Sequence, residues 1–186
     1  AQPNDRRDQT NFSRNKKNYY LAELEFSQPI TDSLFVKLGF EYKYEKNNDN
    51  RDSFDFDAFS QTYSLQNEVL TNQFNALEKT LTPLATIQVT KKKYNFNIDS
   101  GASLINFEAS SDYLSAQSFY NRNYILPYVS AYANYRFTKT RNIWLNYNYS
   151  YDLPSARQVL NVEDIANPLN TFIGNPTVDL NKNHWI

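Results

Sequence analysis

Residues 34–45 read LFVKLGFEYKYE, and their alternation decides the fold. Leu34, Val36, Leu38, Phe40, Tyr42 and Tyr44 take the even positions, while Phe35, Lys37, Gly39, Glu41, Lys43 and Glu45 take the odd ones. A β-strand sends successive side chains to opposite faces, so this stretch has one apolar, aromatic face and one largely charged face. The same period of two recurs at 17–27, 80–90, 94–107, 125–137 and 143–151, and a seventh strand is expected from Asn181. Helical periodicity is scarce, so the fold class is all-β. These runs cover about 10 to 14 residues, against about 5 to 6 for a typical globular strand. Twelve residues at about 3.3 Å each, tilted by about 40°, rise roughly 30 Å, enough to cross the apolar band of a bilayer.

The connections carry as much information as the strands. Short turns are expected at 28–33, 91–93 and 138–141, and long polar loops at 47–78, 108–123 and 152–180. Short and long alternate along the chain. An antiparallel up-and-down meander gives this pattern when tight periplasmic turns lie on one side and extracellular loops on the other, as in a transmembrane β-barrel. A soluble β-sandwich has no reason to sort its loops by parity. Aromatic residues gather near the expected strand ends, among them Tyr19, Tyr20, Tyr42, Tyr44, Tyr94, Phe107, Tyr124, Tyr135, Phe137, Tyr149 and Tyr151. Their amphipathic rings suit the headgroup level and predict two girdles.

Pro83 and Pro127 lack the N–H of a ladder and are placed near the extracellular start of a downward strand. Gly39 and Gly101 fall on the polar face, where a missing side chain leaves room for whatever fills the lumen. An open meander of about seven strands would leave edge groups unpaired in lipid. Residues 1–186 are therefore expected to be a section of one larger outer-membrane barrel domain, beginning in a polar loop tail and ending inside a strand.

Composition removes other classes. The absence of Cys excludes disulfide staples and cysteine-based zinc sites, and a single His excludes histidine metal clusters. A net charge of −1 and a pI of 5.9 argue against a nucleic-acid partner, which draws on a basic excess. No run of apolar residues is long enough for a membrane helix. Fifteen Tyr and thirteen Phe sit in a chain of mean hydropathy −0.71, a combination that strands with one lipid face explain and an ordinary soluble core does not.

The candidate groups are few. His184, beside Trp185, reads as a polar residue at the start of a barrel strand rather than a metal ligand. Asp49, Asp52, Asp55 and Asp57 offer oxygen ligands but lack the Gly and terminal Glu of a calcium loop, so a solvated acidic loop is the better reading. Glu23, Glu25, Lys37, Glu41, Lys43 and Glu45 should face the lumen, forming cross-strand ion pairs or lining a substrate path. The region 47–78 is acidic, whereas the short turns carry Lys91, Lys92, Lys93, Lys139 and Arg141. Asn11-Phe12-Ser13 and Asn148-Tyr149-Ser150 match a glycosylation pattern that a bacterial barrel is not expected to use. No nucleophile–base pair, phosphate-cradling loop or paired-carboxylate motif occurs, so no enzymatic activity, cofactor, catalytic residue or metal site is expected.

Residues 151–186 read YDLPSARQVLNVEDIANPLNTFIGNPTVDLNKNHWI and resemble a recurrent segment of the TonB-dependent receptor-like outer-membrane β-barrel proteins of Bacteroidetes. Pro154, Ser155 and Gln158, then Asn167, Pro168 and Leu169, then Gly174, Asn175 and Pro176 match its elements in order. Residues 178–182 depart from the Leu-Lys-Pro-Glu-like run that follows in the family, and His184 agrees with it. The stretches KKKYNFNI and ELEFSQPIT are similar to the family's strand–turn–strand units. The resemblance implies a barrel of about twenty-two strands, closed by an N-terminal plug. It further implies nutrient uptake with a surface lipoprotein and TonB as partners, or alternatively a non-transporting structural subunit of an outer-membrane assembly or secretion complex.

Overall fold

The computed structural model describes residues 8–114, 116–164 and 172–186. Its strands are β1 (Gln9–Thr31), β2 (Leu34–Asp57), β3 (Thr62–Gln66), β4 (Asn72–Thr90), β5 (Tyr94–Tyr113), β6 (Ala116–Arg136) and β7 (Asn142–Asp152), then a helical turn α1 (Ala156–Val159), the small pair β8 (Glu163–Asp164) and β9 (Phe172–Ile173), and β10 (Asn181–Trp185). One antiparallel sheet runs β1-β2-β4-β5-β6-β7-β10, with β3 folded back on the end of β2. It is the expected up-and-down meander, an open wall with β1 and β10 at its edges.

The wall is taller than the alternation at 34–45 suggests. β1, β2, β4, β5 and β6 run for 23, 24, 19, 20 and 21 residues. Much of two expected loops is strand. Residues 47–57 continue β2, and 108–113 and 116–123 form a hairpin closed at Leu114, whose φ is 50°. Residues 9–16, expected as loop tail, pair with the end of β2, from Gln9 opposite Asp55 to Lys16 opposite Asn48. The 152–180 connection is long as expected, and the short turns fall at residues 32–33, 91–93 and 137–141.

Taller strands move the prolines to mid-strand. Pro83 sits within β4 and Pro127 within β6, rather than near strand starts. Pairing of β4 with β5 lapses at Thr82 and Pro83 and resumes in the same register at Leu84 opposite Gly101. The lost N–H is offset on the lumen face, where the hydroxyls of Thr82 and Ser103 lie 3.2 Å apart. A Cβ on Gly101 would sit 2.1 Å from the Pro83 carbonyl oxygen, so the space beside this glycine belongs to the neighbouring strand, not to a lumen filler. Likewise, the side chain of Leu84 takes the space at Gly39.

Polarity then inverts partway up the wall without any register slip. Through the lower part the outer face carries Leu24, Phe26, Leu38, Phe40, Ile87 and Leu104, all exposed as lipid-facing groups must be in an isolated wall. Above Leu104 the outer face of β5 becomes Asn106, Glu108, Ser110 and Asp112, while the inner face becomes Ile105, Phe107 and Ala109. Leu104 is 40% exposed and Ile105 2%; on β6, Ile125 is 77% exposed and Leu126 7%. Asn18 and Lys46 mark the same line on β1 and β2. Tyr20 and Tyr44, their rings tilted and 5.9 Å apart, form its aromatic rim, and Tyr135 against Phe137, 4.8 Å apart, mark the opposite edge. Phe107, Tyr124 and Tyr151, expected in the girdles, instead point inward and join a buried cluster or pack against it.

Candidate functional site

The lumen face of β1, β2 and β4 carries charges on alternate residues, and their register makes them a connected row. Lys17 Nζ lies 2.7 Å from Glu45 Oε1; Lys43 Nζ lies 3.8 Å from Glu45 Oε2 and 2.8 Å from Glu78 Oε1. Glu45 and Glu78 stand directly opposite one another across β2 and β4, so Lys43 holds two facing carboxylates apart in charge. Lower down, Lys37 pairs with Glu25 at 3.0 Å. The expected cross-strand pairing of lumen charges thus holds for Glu25, Lys37, Lys43 and Glu45. Glu23 and Glu41 oppose one another directly and form no ion pair among the described residues. Two members of the row are not singled out by the sequence: Lys17 only opens the alternating stretch 17–27, and Glu78 ends the expected loop 47–78.

Above this row the chain after β7 turns into the lumen at Leu153 and Pro154. Its apolar side chains Ala156, Val159, Leu160, Val162 and Leu180 bury themselves against Phe74, Ile105, Phe107, Ala109, Tyr124 and Leu126 of the wall. Such inward apolar groups explain why the segment stays down: each large side chain so buried contributes about 1.5–3 kcal/mol. Gln158 Oε1 accepts from the Ser155 N–H at 2.8 Å and the Ser155 hydroxyl at 3.0 Å, closing the turn at the start of α1. The Asn175 N–H donates to the Gln158 carbonyl at 2.7 Å. A Cβ on Gly174 would meet the Leu160 carbonyl oxygen at 1.9 Å, so only glycine permits this approach. Two elements of the sequence motif, Pro154 to Gln158 and Gly174 to Pro176, are therefore partners in one packing contact. Asn167, Pro168 and Leu169 lie outside the described residues.

Between the inward segment and the wall is a cavity of about 290 Å³, lined by Lys43, Glu78, Phe107, Tyr151, Leu153 and Pro154 among others. Asn47 also lines it, and the buried Asn47 Oδ1 has no donor among the described residues. The cavity offers an ammonium, carboxylates, a phenol and an open amide acceptor beside apolar walls, a composition suited to holding a polar solute. Arg122 closes the segment's far side, 3.8 Å from Asp179, and its pKa is pushed up, chiefly through a hydrogen bond with Tyr120.

The remaining candidates do not converge. His184 Nδ1 lies 2.9 Å from the Tyr147 hydroxyl, and its ring meets Tyr149 edge-on at 5.1 Å, holding β10 to β7. Asp49, Asp52, Asp55 and Asp57 lie along β2 instead of in a loop, and no group of three or more acidic or histidine residues suited to a metal occurs among the described residues. Asp57 receives the Phe59 N–H at 2.9 Å at the β2–β3 tip; bonds from Ser60 and Phe59 lower its pKa. No described helix is long and apolar enough to cross a membrane.

A model of the outer membrane protein beta-barrel family matches residues 1–182, nearly the whole chain. Searches of curated proteins and of solved structures return no significant match. With the lipid-facing band and the meander already established, the chain belongs to that family and forms wall of a barrel in the outer membrane, in contact with its lipid.

Proposed function

We propose that this outer-membrane barrel takes up a ligand across the outer membrane in the manner of a TonB-dependent receptor, and that the inward segment after β7 is its extracellular restriction. The observation that carries the reading is the polar cavity beneath that segment, set on the charged row of Lys43, Glu45 and Glu78. A solute released from the outside would meet this cavity on its way down the lumen. In the complete protein, further strands close the wall, a plug domain fills the lower lumen, TonB supplies the energy and a surface lipoprotein delivers the ligand.

The experiment is growth and uptake in cells. Deleting the gene should abolish growth on one nutrient class, and dissipating the inner-membrane proton gradient should stop import without displacing the protein. Growth unchanged on every nutrient, together with loss of other proteins from the outer membrane, would overturn uptake. It would support a structural subunit of an outer-membrane assembly or secretion complex instead. That second reading draws on one observation, the firm packing of the inward segment, which a permanently closed scaffold would share.

A further inference from the structure

The periplasmic end of the wall bears a feature that neither the lumen nor solute uptake uses. On the lipid face, where β5, β6 and β7 run side by side, lies a groove of about 710 Å³ lined by Tyr94, Phe96, Ala133, Tyr135, Ile143 and Leu145 among others. Its origin is the register. Phe96, Ala133 and Leu145 form one row across three strands, so a small side chain stands between two large ones. Tyr94, Tyr135 and Ile143 form the row below and frame the mouth at the headgroup level.

Beside the mouth is a second recess, made by Ser33, Thr90, Lys91, Lys92 and Lys93, and it shares Tyr94 with the groove. Lys91 Nζ sits 5.5 Å from the centroid of the Tyr94 ring, which brings a cation to the junction of the two. Lys91, Lys92 and Lys93 are exposed, no acidic residue lies between Thr90 and Tyr94, and none of the three lysines forms an ion pair among the described residues. The neighbouring turn is also basic, but Arg136, Lys139 and Arg141 line a recess with Asn95, Tyr132 and Asn134, side chains of the lumen face. Of these two basic turns, the Lys91–Lys93 turn joins its charge to the lipid-facing groove.

We propose that this groove and turn together hold one anionic phospholipid of the periplasmic leaflet: an acyl chain lies in the groove over Ala133, and its phosphate meets the three lysines. The apolar lining of the groove suits a hydrocarbon chain, which already borders this face. Charge complementarity selects the headgroup, since clustered basic residues at a membrane surface favour anionic lipids. This site is independent of what passes through the lumen.

The test is lipid retention by the complete barrel extracted in mild detergent, read by native mass spectrometry. Phosphatidylglycerol and phosphatidylcholine of matched chains are the probes, with inorganic phosphate and glycerol phosphate as competitors. The anionic lipid should be retained about tenfold or more tightly than the zwitterionic one. Substituting Lys91→Gln, Lys92→Gln and Lys93→Gln together should remove that preference. Ala133→Trp, or Ala133→Leu where tryptophan prevents insertion, should release the lipid by filling the groove. Neither soluble phosphate should compete. Equal retention of both lipids would overturn the proposal, as would competition by free phosphate or an unchanged preference in the lysine variant. A loss as large from Lys139→Gln with Arg141→Gln would also overturn it, because it would show diffuse surface charge instead of a site.

Discussion

The lower and upper halves of β5 obey opposite rules in one continuous strand. Below Ile105 the apolar residues Tyr94, Phe96, Ile98, Ala102 and Leu104 face out; above Leu104 the apolar residues Ile105, Phe107 and Ala109 face in. The lower half is built for lipid outside and polar groups inside, the upper half for water outside and a packed core inside. The difference sets the top of the lipid-facing band on β5 between Leu104 and Asn106, and a strand's solvent, not its backbone, sets its pattern.

Six substitutions probe the two halves. Phe107→Ala, in the upper core, should cost about 3–5 kcal/mol and free the inward segment, seen as faster proteolysis between Ala156 and Leu180. Leu38→Arg, on the lipid face, should cost about 2–4 kcal/mol in urea unfolding from vesicles, whereas Asn106→Leu on the same face above the edge should be tolerated. If Leu38→Arg inserts as stably as the parent, the assignment of lipid face fails. Gly174→Ala should cost about 1–3 kcal/mol by overpacking Leu160, with the effect confined to protection of the inward segment in hydrogen exchange. Lys43→Gln should cost about 1 kcal/mol, and Glu78→Gln on top of it should restore part of the loss, because the single change leaves Glu45 and Glu78 facing without a cation between them.

The smallest expected effect is a pH effect at the β2–β3 tip. The Asp57 carboxylate is held below its ordinary pKa by the tip's donors, Ser60 first. A depressed folded pKa stabilises the tip above the unfolded value, about 4, and that contribution fades as pH falls through the folded value. Protection of the Phe59 amide, taken relative to its intrinsic exchange rate at each pH, should therefore fall below about pH 4, and Asp57→Asn should lower it at neutral pH and flatten the dependence.

How much of this was legible in the sequence follows from the same inversion. The lipid half announces itself, because alternation with one purely apolar face, as in Leu34 to Tyr44, is hard to mistake. The upper strands are hidden because their residues are loop-like in composition: Asn47, Asn48, Asp49 and Asn50 on the two faces of β2, and Glu108, Ser110 and Asp112 on the outer face of β5. The missed signal was a change of parity. Apolar residues pass from even to odd numbers at Leu104 and Ile105 with no turn residue between, which a continuous strand crossing an interface requires. Tyr151 was misplaced because alternation was extended through the end of β7, where pairing with β6 has already stopped at Asn148. The contact between the Gly174 and Gln158 elements was not legible at all, since it depends on a close backbone approach that only the folded segment creates.

Depth in the membrane separates the two halves of the wall. Spin labels on single cysteines at Ile98, Leu104, Glu108 and Phe119, all on the outer face, report accessibility to oxygen against a water-soluble nickel reagent in vesicles. Ile98 and Leu104 should be oxygen-accessible and shielded from nickel, while Glu108 and Phe119 should be open to nickel. Lipid-like accessibility at Glu108 and Phe119 would place the upper strands in the membrane and contradict that separation.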